Sequence, residues 1–229
     1  MRKIVIKFCL HLTWKSILSK LDIVDVLDTE HKNFYPKGFI CDSVDNLSDN
    51  KLDILNNNLN ILSTNIRSIN RNIDSLRHEL SNSLINIDII AIQETWFKFN
   101  TNLSIENFKG PITKNRTDSR GGGIAFYVSN KLEYEVIHNM SFTEKAIETL
   151  TIKINHKSKS HILVCLYRPP KHNLINLFYE RLDQLISFSK NSFPTSILDI
   201  LGDYNLNTFD PKIRDKFYEI SMSNGLLPT

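Results

Sequence analysis

Apolar residues along this chain recur at two periods, and the switches between them mark the elements. Residues 59–64 form a short strand-like run, and Ile69, Ile73, Leu76, Leu80 and Leu84 then return every three to four positions. That spacing predicts a helix with one apolar face, opened by Ser68 or Asn70 as its cap. Residues 88–92 read as a buried strand, and Gly121-Gly122-Gly123 introduces a second at 124–128. Further strands are predicted at 132–137, 147–154 and 161–166. Leu174, Leu177, Phe178, Leu182, Leu185 and Ile186 make the apolar stripe of another helix. Residues 196–201 are again strand-like, and a last helix begins at Asp210-Pro211, a capping residue followed by a proline that suits a first turn, and stops near Gly225.

Ahead of residue 59 the pattern changes. Trp14, Ile17, Leu18, Leu21, Ile23 and Val24 outline a short amphipathic helix, and residues 42–50 have linker composition. The chain therefore divides into an extension, 1–58, and a domain, 59–229. No internal repeat is visible. The alternation of strands and helices predicts an α/β or α+β fold with mixed sheets.

Composition narrows the classes. With 229 residues, 41% hydrophobic and 23% charged, the chain is neither disordered nor fibrous. A formal charge of +3 is too small to require a nucleic-acid partner by bulk field, so any such claim must come from local residues. Cys9, Cys41 and Cys165 lie far apart and form no CxxC pair, which fits a reducing, intracellular compartment and neither a disulfide framework nor a zinc knuckle. No apolar stretch reaches membrane-spanning length. Residues 4–10 behind Arg2 and Lys3 have the outline of a secretory start, but Lys7, His11 and Lys15 interrupt it and no small-residue cleavage site follows.

Candidate chemistry gathers where the strands stop. Four apolar runs end in polar groups: Asn65 with Arg67, Gln93-Glu94-Thr95, Tyr167-Arg168, and Gly202-Asp203-Tyr204-Asn205. If these strands are neighbours in one sheet or in two packed sheets, Glu94, Asp203, Asn65, Asn205 and Tyr167 face one crevice. Hard oxygen donors of this kind suit Mg²⁺ or Mn²⁺ rather than zinc, and the natural reaction class is phosphoryl transfer. Each motif by itself is an ordinary polar turn; their order carries the reading.

That order resembles the endonuclease/exonuclease/phosphatase superfamily. The residues concerned are Thr64-Asn65-Ile66-Arg67-Ser68, Ile92-Gln93-Glu94-Thr95-Trp96, Asn115-Arg116 ahead of Arg120-Gly121-Gly122-Gly123, Tyr167-Arg168-Pro169-Pro170, and Gly202-Asp203-Tyr204-Asn205. Within the superfamily the nearest likeness is to the apurinic/apyrimidinic-like endonuclease domain of non-LTR, LINE-type retrotransposons. The arginine before the glycine triplet and the Tyr-Arg-Pro-Pro turn favour it over phosphatases.

The resemblance covers residues 59–229 and implies a four-layer sandwich, two mixed sheets flanked by helices. It also implies Mg²⁺-dependent nicking of DNA to leave a 3′-hydroxyl for priming reverse transcription, with a reverse transcriptase encoded downstream and the nucleus as the place of action. By the same resemblance Glu94 is the main metal ligand with Asn65 beside it, Asp203 activates water, Asn205 holds the phosphate or that aspartate, and Tyr167 contacts the scissile phosphate. Arg67, Arg116, Arg120 and Arg168 are candidate substrate contacts, whereas Arg71 and Arg77 read as solvated helix-face charge. A lipid- or sugar-phosphate hydrolase of the same superfamily, and an inactive nucleic-acid-binding fragment, are the alternatives.

The chain departs from the pattern in three ways, the mildest at Pro170, where the wider superfamily often carries Asn and retrotransposon members with this turn share the proline. Arg67 stands where DNA-repair relatives carry an acidic residue, so a ligand role is not expected there. The family's late Asp and terminal Ser-Asp-His are not found before Thr229, and none of the seven histidines sits in that context. The expectation is a C-terminally truncated domain with an unpaired sheet edge and impaired activity.

Overall fold

In a computed structural model the description covers residues 5–8, 59–83, 86–97, 103–116 and 121–228, with backbone alone for 5–8, 172, 227 and 228. The helix expected from Trp14 to Val24 lies outside them. Among the described residues, two mixed sheets pack face to face with helices on both outer sides.

The smaller sheet has four strands, β2 (Ile61–Asn65), β3 (Ile89–Gln93), β4 (Phe108–Lys114) and β5 (Ile124–Ser129), in the order β2-β3-β5-β4. The larger contains β1 (Val5–Phe8), β6 (Tyr134–Val136), β7 (Phe142–Thr143), β8 (Glu148–His156), β9 (Lys159–Tyr167), β10 (Ile197–Asp203) and β11 (Leu227–Pro228). Its order is β11-β1-β10-β9-β8-β6, with β7 also paired to β8. Helix α1 (Ile69–Asn82) crosses from β2 to its parallel neighbour β3, and α2 (Ile175–Ser192) from β9 to its parallel neighbour β10. Helix α3 (Pro211–Ser223) follows β10.

Burial on both faces explains why these strands read as continuous apolar runs. In β9, Leu163, Cys165 and Tyr167 point into the layer between the sheets, while Ile162, Val164 and Leu166 pack on the other side against α2 and α3. In β5, Ile124, Phe126 and Val128 enter the same inter-sheet layer from the smaller sheet, whereas Ala125 and Tyr127 face α1. A period of two thus builds three stacked cores from one alternation.

Helix α1 buries Ile69, Ile73 and Leu76, the spacing that predicts it. Its expected cap is different: Ser68 stands at the cap position with φ 93, and its hydroxyl caps nothing. Asp210 does cap α3, accepting from the Lys212 backbone N–H at 3.0 Å with Pro211 in the first turn.

Four strands have no counterpart in the sequence pattern: β1, β4 and the two-residue β7 and β11. Gly110 and Pro111 interrupt β4 and coincide with a register shift against β5 between Lys109 and Ile112, so no alternation survives to be read. Strand β1 lies in the segment read as an extension, yet it pairs in parallel with β10 from Val5 opposite Asp199 to Phe8 opposite Gly202, and β11 pairs with β1 in turn. The edge expected to be unpaired beyond β10 is therefore filled, because a short strand far away in sequence supplies the missing backbone partners.

Candidate functional site

Because β2 and β3 are parallel, and β9 and β10 are parallel, both pairs end level: Asn65 lies opposite Gln93, and Tyr167 opposite Asp203. Packing the sheets face to face brings the two ends to one rim. The Asn65 amide joins them, with Nδ2 donating to Glu94 Oε1 at 2.9 Å and to Asp203 Oδ2 at 2.8 Å. Across the rim the Tyr167 hydroxyl faces the Glu94 carboxylate, and burial, followed by the charges of Glu94 and Asp203, pushes the phenol pKa far upward. Tyr167 therefore keeps its proton at any physiological pH.

Asp203, 4% exposed, is held at both oxygens, since its Oδ1 also accepts the Asn205 backbone N–H at 3.0 Å. The Asn205 side chain turns away from the carboxylates: its Nδ2 donates to the Arg168 carbonyl at 2.7 Å. Asn205 thus shapes the turn that presents Asp203, with its backbone on the aspartate and its amide on the neighbouring strand end.

The turns at this rim run through left-handed backbone. Arg67 (φ 46), Ser68 (φ 93), Glu94 (φ 53), Trp96 (φ 44) and Asn205 (φ 45) are non-glycine residues there, a clustering that accompanies functional sites. Tertiary bonds hold them: Ile66 N donates to Gln93 O at 3.0 Å, Ser68 N to Glu94 O at 2.8 Å, and Ile69 N to Thr95 O at 2.8 Å. The glycine triplet clasps the same turn from the other side, through Thr95 N to Gly123 O at 3.1 Å and Trp96 N to Gly122 O at 3.0 Å. Any side chain at Gly122 would strike Glu148 and Arg116, and one at Gly123 the Thr95 hydroxyl.

Glu148 is the site residue that the sequence pattern does not reveal. Its side chain is fully buried at the start of β8, directly opposite Tyr167, with Oε2 accepting the Gly123 N–H at 2.7 Å and Oε1 paired with the Arg116 guanidinium. Burial raises its pKa against the opposing pulls of Gly123 and Arg116. In the sequence it is one polar position among several in a strand that alternates apolar and polar residues, so nothing singles it out.

The arginines divide. Arg67 is exposed at the rim, its backbone N–H on Asn65 Oδ1 at 3.3 Å. Arg116 pairs with Glu148 and lies 5.8 Å from the centre of the Tyr167 ring. Arg120 falls outside the described residues. Arg168 corrects the expectation of a substrate contact. It is 2% exposed, and its guanidinium is spent on main-chain carbonyls: Tyr204 at 2.8 Å, Asn205 at 2.7 Å, Pro169 at 3.2 Å and Lys171 at 3.3 Å. Its role is to fasten the turn carrying Asp203 and Asn205.

Among the described residues no group of three or more His, Cys, Asp and Glu is placed to hold a metal. Magnesium asks for less, because it takes one or two carboxylates and keeps several waters. Glu94 and Asp203 meet that need: one donor group, the Asn65 amide NH₂, already lies within hydrogen-bonding distance of both. Asn65 itself presents nitrogen, not oxygen, to Glu94, so a ligand role requires its amide to turn.

A four-layer sandwich with carboxylates, a carboxamide and a protonated phenol at the common strand ends belongs to the phosphoesterase and nuclease class. Residues 60–216 match the model of the Endonuclease/Exonuclease/phosphatase family, and the chain belongs to that family. Solved structures of similar fold include the endonuclease domain of TRAS1, a telomere-specific non-LTR retrotransposon, at 14% identity over 70% of each chain with a TM-score of 0.47. The human Nocturnin catalytic domain with bound sulfate matches at 13% identity over 69% of this chain and 67% of that one, TM-score 0.50. The 3′ phosphatase NExo from Neisseria, bound to a product DNA hairpin, matches at 14% over 73% and 71%, TM-score 0.47. Among the curated proteins nothing matches.

Proposed function

We propose that the chain is a Mg²⁺-assisted DNA endonuclease domain that nicks one phosphodiester and leaves a 3′-hydroxyl, as the retrotransposon-like motif order implies. The observation that supports this most is the shared Asn65 amide, which fixes Glu94 of one sheet and Asp203 of the other around a single point at the rim.

In the proposed reaction a water oxygen attacks phosphorus, the bond to the 3′ oxygen breaks, and the water's protons pass to Asp203 and to the leaving oxygen. Asp203 is suited to the general-base part because Asn65 and the Asn205 N–H orient both of its oxygens. Tyr167, locked in its protonated form, can give its hydroxyl hydrogen to a non-bridging phosphate oxygen. Glu94 would hold Mg²⁺, which would supply positive charge to the phosphate in the transition state, while Asn65 keeps its amide nitrogen on Asp203. Arg67 reaches solvent beside them and fits a neighbouring phosphate.

Two measurements test the proposal. Nicked plasmid should be extendable by a DNA polymerase without phosphatase treatment; ends that must first be dephosphorylated contradict the stated polarity. Mn²⁺ relaxation should show binding to the parent and none to Glu94→Gln; equal binding removes Glu94 from the metal site.

A further inference from the structure

Trp96 plays no part in the chemistry above, yet its placement is unusual. It is 37% exposed, two residues from Glu94, in a left-handed conformation that bulky residues rarely adopt. Its neighbour Thr95 is fully buried, and both of their backbone N–H groups are taken by the glycine triplet, so the turn forces the indole outward. Gly121 adds to this: a β-carbon there would stand 3.7 Å from the indole Nε1, so glycine at this position puts no side chain of its own over that edge of the ring. On the other side, the hydrogen bonds from Ser68 and Ile69 tie the Glu94–Trp96 turn to the turn bearing exposed Arg67. A partly exposed aromatic and an exposed cation thus stand on the two clasped turns that meet at Glu94. Aromatic faces bind bases of any sequence by stacking, and arginine binds the phosphate between them.

We infer that Trp96 is a stacking platform for a nucleobase next to the scissile phosphate, with Arg67 on the adjoining phosphate. The substrate is then DNA in which that base lies out of the duplex stack, in a single-stranded or distorted segment. This rests on the nuclease reading and adds to it a recognition element outside the reacting groups.

The chain has two tryptophans, so Trp14→Phe in the full chain leaves Trp96 as the sole reporter. A short oligothymidylate and an abasic oligomer with the same number of phosphates are titrated in chelator, where no turnover consumes them. Affinity is read in parallel from the anisotropy of labelled probes. Oligothymidylate should quench Trp96 emission and the abasic oligomer should not. Trp96→Ala should weaken oligothymidylate binding roughly 5- to 150-fold and leave the abasic oligomer unaffected, while Trp96→Phe keeps most of the affinity. Equal binding of both probes by parent and variants overturns the stacking role and leaves the nuclease reading standing. Failure of the parent to bind either probe overturns both. Should Trp96→Ala fail to fold, the quenching pattern of the parent and the Trp96→Phe affinities decide the matter.

Discussion

Arg168→Lys separates two roles that the sequence cannot tell apart. The fork of Arg168 reaches Tyr204 O at 2.8 Å through Nε and Asn205 O at 2.7 Å through a terminal nitrogen. A lysine has one nitrogen and can serve one of the two. Losing a hydrogen bond from a charged donor to a buried carbonyl costs about 1.5–3 kcal/mol, taken here as about 2. For a chain of this size each kcal/mol shifts the melting temperature by about 2–4 °C, so a drop of about 4–8 °C is expected in a calorimetric or circular-dichroism melt. Lysine keeps the charge, so a phosphate contact would survive the substitution largely intact. The log–log slope of oligonucleotide affinity against salt should therefore be unchanged for Arg168→Lys, and unchanged again for Arg168→Met, because neither removes a phosphate contact. An unaltered melt, together with a slope reduced by about one in Arg168→Met, would refute the structural role and restore Arg168 to the substrate surface.

Glu148→Gln tests the buried carboxylate through pH. Burial raises the Glu148 pKa, so its contribution to stability is complete below the unfolded carboxyl value of about 4.3 and is lost as pH rises through the folded one. The parent's melting temperature should fall relative to Glu148→Gln as pH rises above about 4.3; parallel curves would contradict this. Gly202→Ala should be among the most damaging single changes, because Gly202 has φ 140 and its β-carbon would overlap the Leu166 carbonyl oxygen of the paired strand. A loss of about 4 kcal/mol in urea unfolding is expected, and a loss below about 1 kcal/mol would show that β9 and β10 can part without cost.

Much of the fold is legible in the sequence because its strands are buried on both faces. Residues 162–166 of β9 form one unbroken apolar run, and the polar residues after such runs fall at the rim for the simple reason that parallel strands end together. Asn65, Glu94, Tyr167 and Asp203 can be grouped on that basis from their positions in the chain alone. What the sequence hides depends on contacts distant along the chain. Strand β1 takes its place by pairing with residues nearly 200 positions later, and its four residues carry no period that marks them for a sheet. Arg168 is hidden for a related reason: residue type cannot show whether a guanidinium faces phosphate or backbone carbonyls, and only the turn geometry at Tyr204 and Asn205 claims it for the interior. Glu148 gives little signal because it is one of several polar positions in β8, alongside Thr149, Thr151 and Lys153, and residue type cannot show which of them is buried.

The central claim is that Asp203, fixed between Asn65 and the Asn205 N–H, is the base of a metal-assisted phosphodiesterase. Its most direct test is the rate of Mg²⁺-dependent nicking of supercoiled plasmid under enzyme excess, compared between the parent and Asp203→Asn. Asparagine keeps the shape and can still accept the Asn205 N–H, although its amide nitrogen then faces the Asn65 Nδ2 donor. With both proteins shown by melting to be folded at the assay temperature, the rate should fall by about 10²–10⁴. Equal nicking rates from two equally folded proteins would contradict the account.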